Sequence, residues 1–265
     1  MPTLSRPNQA QDYTWLCRQT FGPGQVVCSW VESGRVLVPE VERAIELAWA
    51  TQSARPGVTL FDGPIARCEG FFVRGDQLHL ELSPTSYRVA VGTHFCNPHF
   101  RESIGPQVMA NSIGVSTGLI CADGHLVMGV RTQTVAYYPG RVHPFAGSLE
   151  VRQPLDVFED ARRELAEEVN LEPGQIDRLR CVGIAQDQAL LHPELIFLAT
   201  TPLTFARLAR QLDGEEHTEL VAVDIRSRPN VNDLAGLTPI ARAVVEAAVE
   251  AVVEAGVEAG EEANR

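Results

Sequence analysis

At 265 residues, 45% hydrophobic and 21% charged, the chain has the composition of a globular protein and is long enough to bury a sizeable core in two lobes. A formal net charge of −12 argues against a general nucleic-acid binder, which needs a basic surface. No apolar run reaches a membrane span, the Met1–Gln11 start lacks a basic-then-apolar signal pattern, and six scattered cysteines form no C-x-x-C pair, so reduced packing thiols in a cytoplasm are expected.

Residues 1–35 are rich in Pro, Gly and Gln and poorly periodic. Gly34–Val38 is expected as a short strand. Pro39 to about Ala50 is expected as a helix, with a first-turn proline and Val41, Ile45 and Ala48 on one face. Phe61–Val73 and Gln77–Leu82 are predicted strands around Arg74-Gly75-Asp76. Leu78, Leu80 and Leu82 alternate with Gln77, His79 and Glu81, which puts His79 on a solvent face. The polar stretch Ser83–Arg88 carries one aromatic, Tyr87, and one guanidinium, Arg88. It reads either as a strand end with an edge-packed tyrosine or as a surface that stacks a base or reaches a phosphate. His94 and His99 flank Cys96, but no second ligand pair at suitable spacing accompanies them, so zinc is not expected.

Gly and Pro interrupt the pattern near Arg101–Gln107 and divide the chain into a helix-plus-strand extension over 1–105 and a main domain over 106–256, followed by a small acidic tail over 257–265. Val115–Cys121 and Leu126–Arg131 form a hairpin around Asp123-Gly124, and Val142–Phe145 is the strand leading to Gly147. Arg178–Gln188 and Leu195–Ala199 are strand candidates, joined by a short loop holding His192, Pro193 and Glu194. Thr204–Leu212 is expected as a short helix stopped by Gly214, and Leu220–Ile225 as a strand. Thr238-Pro239 opens a last helix to Ala255, ended by Gly256, whose Val/Ala stripe can pack internally or pair with a second copy, so a homodimer stays open.

The centre of the chain is Gly147–Leu171, GSLEVRQPLDVFEDARRELAEEVNL. Asp156 is an N-cap candidate, with Glu159 three residues on. Phe158, Ala161, Leu165 and Val169 share one helical face, while Asp160, Glu164, Glu167 and Glu168 cluster on another. Such a cluster is either a solvated acidic face or a set of oxygen ligands for a hard divalent cation.

Arg163-Glu164-Leu165-Ala166-Glu167-Glu168 resembles the core of the Nudix box, G-x5-E-x7-R-E-U-x-E-E-x-G-U with U aliphatic; Gly147 resembles its leading glycine and Leu171 its closing aliphatic residue. The Gly147–Arg163 interval is two residues longer than the pattern, Leu155 stands where the family has Glu, and Asn170 replaces the last glycine, although Asn tolerates the left-handed conformation needed there. Within the superfamily, LFDGPIARCEG, LELSPTSYRVAVGTHF, the EEVNL helix end and the VGIA strand, over most of residues 58–200, are similar to the UDP-glucose/UDP-galactose pyrophosphatase type.

The resemblance implies an α/β (α+β) fold, a Nudix-type α/β/α sandwich around a mixed sheet with an N-terminal β-rich extension that packs on the core and contributes to substrate binding. It implies Mg2+-dependent hydrolysis of a nucleoside diphosphate-sugar to UMP and a hexose 1-phosphate, with Mn2+ as a substitute ion. Metal ligands would be Glu164, Glu167, Glu168 and the Gly147 carbonyl, with Arg163 orienting Glu164. The proton acceptor is a helix glutamate such as Glu164, or Glu194 from across the cleft. Tyr87, Arg88 and Arg131 are candidate base and diphosphate contacts, and Arg141 a weaker one. The net charge of −12 opposes an anionic substrate, so cations and placed arginines must reverse the field locally. ADP-ribose or another nucleoside diphosphate derivative stays open as substrate, as does a Nudix-fold nucleotide sensor without turnover.

Overall fold

The computed structural model describes residues 12–212 and 217–262. Its strands are β1 (Tyr13–Cys17), β2 (Val26–Trp30), β3 (Pro64–Arg74), β4 (Gln77–Ser86), β5 (Gly114–Ile120), β6 (His125–Arg131), β7 (Val142–His143), β8 (Phe145–Ser148), β9 (Arg178–Asp187), β10 (His192–Thr200) and β11 (His217–Asp224). Its helices are α1 (Pro39–Ser53), α2 (Tyr87–Ala90), α3 (Phe100–Ser103), α4 (Val157–Val169), α5 (Phe205–Leu208) and α6 (Pro239–Glu262).

The large sheet runs β1-β9-β10-β5-β6-β11 and is mixed, because β10 and β5 are parallel while the other pairs are antiparallel. β6 pairs with β5 only at Leu119 and Ile120, whereas β8 takes the same edge of β5 from Gly114 to Thr117. The sheet therefore forks, and the fork places Gly147 beside Val115.

Period-two alternation decides which core each side chain enters. Along β10, Leu195, Phe197 and Ala199 join one core and Ile196 and Leu198 the other. Phe158, Ala161, Leu165 and Val169 of α4 close the first, each large side chain contributing about 2 kcal/mol by leaving water. Ile240, Val244 and Ala248 of α6 close the second, so the last helix packs internally. The result is the expected α/β/α sandwich around a mixed sheet.

A second sheet, β2-β4-β3, turns Leu78, Leu80 and Leu82 into the α4-side core. It is stitched to the large sheet by backbone bonds from Ala66 N to Leu149 O (2.7 Å) and from Cys68 N to Asn111 O (2.8 Å). The buried Val41 and Ile45 of α1 pack with Phe100, Val108 and Met109. All six cysteines lie among the described residues and are free thiols.

Some expectations are corrected. Residues 34–38 form no strand: Val36 makes a backbone bond to Gln107, but no ladder partner runs alongside, and Val36 and Leu37 are exposed. The strand of that region is β2, paired in parallel with β4. Tyr87 and Arg88 open a helix that continues as a wider π turn over Val91–Phe95, which the polar composition upstream disguised. His192, Pro193 and Glu194 belong to β10 rather than to a loop. Pairing with β5 starts only at Glu194, so the missing N–H of Pro193 costs no bond to that neighbour. The predicted 204–212 helix is regular only at Phe205–Leu208, and its expected stop at Gly214 lies outside the described residues. α6 continues through Gly256 and Gly260 to Glu262, because each isolated glycine costs a helix only about 1 kcal/mol.

Candidate active site

Local sequence fixes both ends of α4. Asp156 Oδ1 accepts a hydrogen bond from Phe158 N at 2.8 Å, a cap worth about 1 kcal/mol. Asn170 ends the helix in the left-handed region at φ 50°, ψ 40°. Between them the apolar stripe turns to the core, leaving Glu164 and Glu168 buried at its edge and the Glu167 side chain 57% exposed.

Glu164 lies against β8. A Cβ built at Gly147 would run into the Glu164 carboxylate, so only glycine leaves this cradle open. Arg163 binds the carboxylates together: Nη2 is 2.7 Å from Glu164 Oε1 and 3.2 Å from Asp160 Oδ1, and Nη1 is 3.0 Å from Glu167 Oε2 and 3.9 Å from Glu150 Oε1. Burial alone would lower the Arg163 pKa, but Glu164, Glu167, Asp160 and Glu150 outweigh it and hold the guanidinium protonated. Asp160 is fully buried and also receives Arg152; burial keeps its carboxyl above the usual range against both arginines. It therefore anchors arginines rather than facing the cleft.

Glu168 points toward the sheet, where Oε1 accepts from Ala146 N at 3.3 Å and Oε2 lies 2.9 Å from His217 Nε2. Glu194, buried on β10, accepts a hydrogen bond from the Ser116 hydroxyl and lies 3.4 Å from His192 Nδ1. Its Cγ and the Gly147 carbonyl oxygen both border Gly114, at 3.3 and 3.1 Å from where a Cβ would stand. Glu194 is thus next to the glycine strand from the opposite side of β5.

A cleft of about 400 Å3 opens above this arrangement, lined by Gly147, Glu150, Arg163, Glu164, Glu167, Phe61 and Tyr87 among others. An adjoining cleft of about 600 Å3 shares Phe61 and Tyr87 and adds Arg131, Thr59, Thr132 and Thr134. Phe61 is 80% exposed. Tyr87 meets Trp49 and Phe95 edge-on, each at 6.4 Å, Phe95 stacks on Tyr137 at 4.5 Å, and the Arg131 guanidinium lies 4.4 Å over the Tyr137 ring. Arg131 itself is buried.

The structure thus gathers Gly147, Arg163, Glu164, Glu167 and Tyr87 at one cleft, sets Glu168 and Glu194 on its sheet side, and puts Arg131 in the adjoining one. Arg88 lines neither cleft. It pairs with Glu46 (3.0 Å) and Asp62 (3.2 Å), and its backbone N–H bonds Asp62 Oδ1, which pins the residue after Phe61. Arg141 bonds the carbonyls of Gly236 and Leu237. Leu155, where the motif has a carboxylate, packs on the core, while Glu150 reaches the cleft. Sequence reasoning passed over Phe61, His217, Ser116 and Arg152; only Phe61, an aromatic next to the turn-forming Asp62-Gly63-Pro64, carries a readable signal.

The donors suit a hard cation: three carboxylates and a backbone carbonyl, all oxygen, with the glycine cradle filled by one of them. Among the described residues no three such side chains already stand in coordinating geometry, and Arg163 bridges Glu164 and Glu167 instead. Among the described residues, no helix is long and apolar enough to cross a membrane.

No family model matches the chain. It is 29% identical over 185 residues to the uridine diphosphate glucose pyrophosphatase NUDT22 of Homo sapiens, covering 57% of this chain and 59% of that protein. It is likewise 29% identical over 181 residues to the Mus musculus protein of the same name, covering 56% and 57%. The chain thus spans somewhat under two thirds of the length of the curated relatives it matches. Solved structures matched by part of the chain include a NUDIX-family hydrolase from Clostridium perfringens (15% identity, 52% of this chain and 96% of that one, TM-score 0.35) and a Nudix hydrolase from M. smegmatis (14%, 54% and 85%, TM-score 0.39). In sequence the chain is similar to these UDP-glucose pyrophosphatases, and its Gly147–Leu171 segment resembles the Nudix box.

Proposed function

We propose that the chain is a divalent-cation-dependent pyrophosphatase that cleaves the diphosphate of a nucleoside diphosphate-sugar, UDP-glucose or UDP-galactose, to UMP and a hexose 1-phosphate. The observation that carries this reading is the convergence of Glu164, Glu167, Arg163 and Gly147 on one cleft that Phe61 and Tyr87 also line. A carboxylate end next to an aromatic end fits a ligand with a charged diphosphate and a flat base.

In this reading Glu164, Glu167, Glu168 and the Gly147 carbonyl hold Mg2+, with Mn2+ as a substitute. The ion would neutralise diphosphate oxygens and lower the pKa of the attacking water. Arg163 orients Glu164 through its 2.7 Å contact. Water adds to one phosphorus, the bridging P–O bond breaks, and one water proton passes to a carboxylate. Glu194 is the favoured acceptor, since Ser116 fixes one of its oxygens beside the glycine strand; Glu164 is the second candidate. Phe61 and Tyr87 stack the base. Arg131, already held over Tyr137, offers its charge to the substrate from the adjoining cleft. Arg88 acts one step back, holding Asp62 and with it Phe61.

The test is phosphate release, coupled to a phosphatase, from UDP-glucose, UDP-galactose, ADP-glucose, ADP-ribose and a dinucleoside polyphosphate, with and without Mg2+, beside Glu168→Gln. Cation-dependent cleavage of the UDP-hexoses that collapses in the variant is expected. Preference for ADP-ribose would overturn the uridine assignment. Tight nucleotide binding without turnover would overturn the enzyme reading and leave a sensor.

A further inference from the structure

The metal reading leaves open what holds Glu168 in place, and the answer lies across the sheet on β11. His217 starts that strand and is buried. Its ring lies over Gly129 of β6, where an added Cβ would run into the imidazole and stand 2.8 Å from Cδ2. Phe145 of β8 meets the same ring edge-on at 5.6 Å. These contacts fix the imidazole plane, and Nε2 comes 2.9 Å from Glu168 Oε2. A carboxylate that ligates a cation is ionised and can only accept, so in that state Nε2 would be the donor. The other oxygen, Oε1, accepts from Ala146 N at 3.3 Å, one residue before Gly147.

We propose that His217 is a positioning residue for divalent-cation binding: it clamps Glu168 so that the carboxylate keeps its lone pairs turned toward the glycine strand. The proposal rests on the metal-site reading above. Three strands cooperate in it, β6 by leaving room at Gly129, β8 through Phe145 and Ala146, and β11 through the imidazole itself. A hydrogen bond from an outer group to a ligating carboxylate restricts its rotation and is worth about 10- to 100-fold in metal affinity. In the isolated helix Glu168 would sit beside Glu164 and Glu167 and turn away from them; the clamp opposes that repulsion before any cation arrives.

The test is Mn2+ binding to the full chain, followed by electron paramagnetic resonance of the free ion, for wild type, His217→Gln, His217→Asn and His217→Phe. Circular dichroism melts check that each variant is folded. Gln can present an amide N–H near the Nε2 position, whereas Asn falls short. Wild type is expected to bind, Gln to stay within about threefold, and Asn to weaken about tenfold or more. Phe should weaken at least as much. KM for Mn2+ in turnover should rise in the same order, with kcat at saturating Mn2+ falling less. Equal affinity in folded Gln and Asn variants and wild type overturns the positioning role while leaving the metal site standing. No Mn2+ binding by wild type overturns the metal reading itself and the clamp with it.

Discussion

The Glu164 carboxylate occupies the space that a side chain at position 147 would need. The strand glycine and the helix glutamate are therefore one unit, separated by the whole connection between β8 and α4. Because the obstacle is the tip of a flexible side chain, Gly147→Ala should displace Glu164 rather than break the sheet. The expected result is a melting temperature within a few degrees of wild type together with a turnover loss of about 100-fold, since small misplacements of reacting groups carry that cost. Steady-state kinetics and a thermal melt on one preparation check it; a large loss of stability with normal specific activity of the folded fraction would contradict it.

Phe61→Ala removes the exposed wall shared by the two clefts. Stacking on an aromatic ring is worth about 1–3 kcal/mol per base. KM for UDP-glucose should rise about tenfold, with kcat within about threefold, because the base is far from the bond that breaks. Tyr87→Ala should act in the same sense and add a small loss of stability from its lost edge contacts with Trp49 and Phe95. An unchanged KM in Phe61→Ala would move the base elsewhere.

Arg163→Lys keeps a positive charge but loses the planar fork that reaches Asp160, Glu164 and Glu167 together. Glu164 should lose its fixed orientation, and kcat should fall about 10- to 100-fold while KM for the nucleotide changes little. A fall confined to KM would instead place Arg163 on the substrate.

Two buried histidines make the fold sensitive to acid. Burial, then the neighbouring His192, lowers the His94 pKa from 6.5 to about 3; burial, then Arg131, puts His143 well below its ordinary value. In both cases the unfolded chain binds the proton first, so stability is complete above pH 6.5 and is lost as pH falls below it, for His94 down to about 3. At pH 5.5 each should cost about 1 kcal/mol. Urea melts at pH 7.5, 6.5 and 5.5 measure this, and His94→Gln should flatten the slope; equal stability across the three would refute it.

The α4 motif was legible because periodicity and charge agree: one stripe is apolar and the other acidic, with Asp156 and Asn170 marking the ends. The hairpin was legible from the turn at Asp123-Gly124, and α1 from Pro39 and its buried stripe. What stayed hidden was whatever depends on strand neighbours. Glu194 reads as a loop residue because Pro193 precedes it, yet pairing with β5 begins just after that proline. His217 carries no local signal at all; its role comes from β11 lying beside β6 at a glycine. Arg88 looks like a phosphate ligand in sequence and is paired with Glu46 and Asp62 in space. Spacing identifies groups that share one helix, and only the sheet register identifies those that do not.

The seam between Ala66 and Leu149 has a consequence for how a ligand gets in. Leu149 lies two residues beyond Gly147 and directly follows β8, so the small sheet is bonded to the chain just past the cradle. Swinging that sheet aside would tear the glycine strand's continuation from its backbone partner. The connection over 54–63 has no helix or strand and supplies Gly57, Thr59, Leu60, Phe61 and Gly63 to the two clefts, so an opening that spared the seam would have to involve it. Arg88, bonded to Asp62 through both side chain and backbone, would resist any such shift next to Phe61.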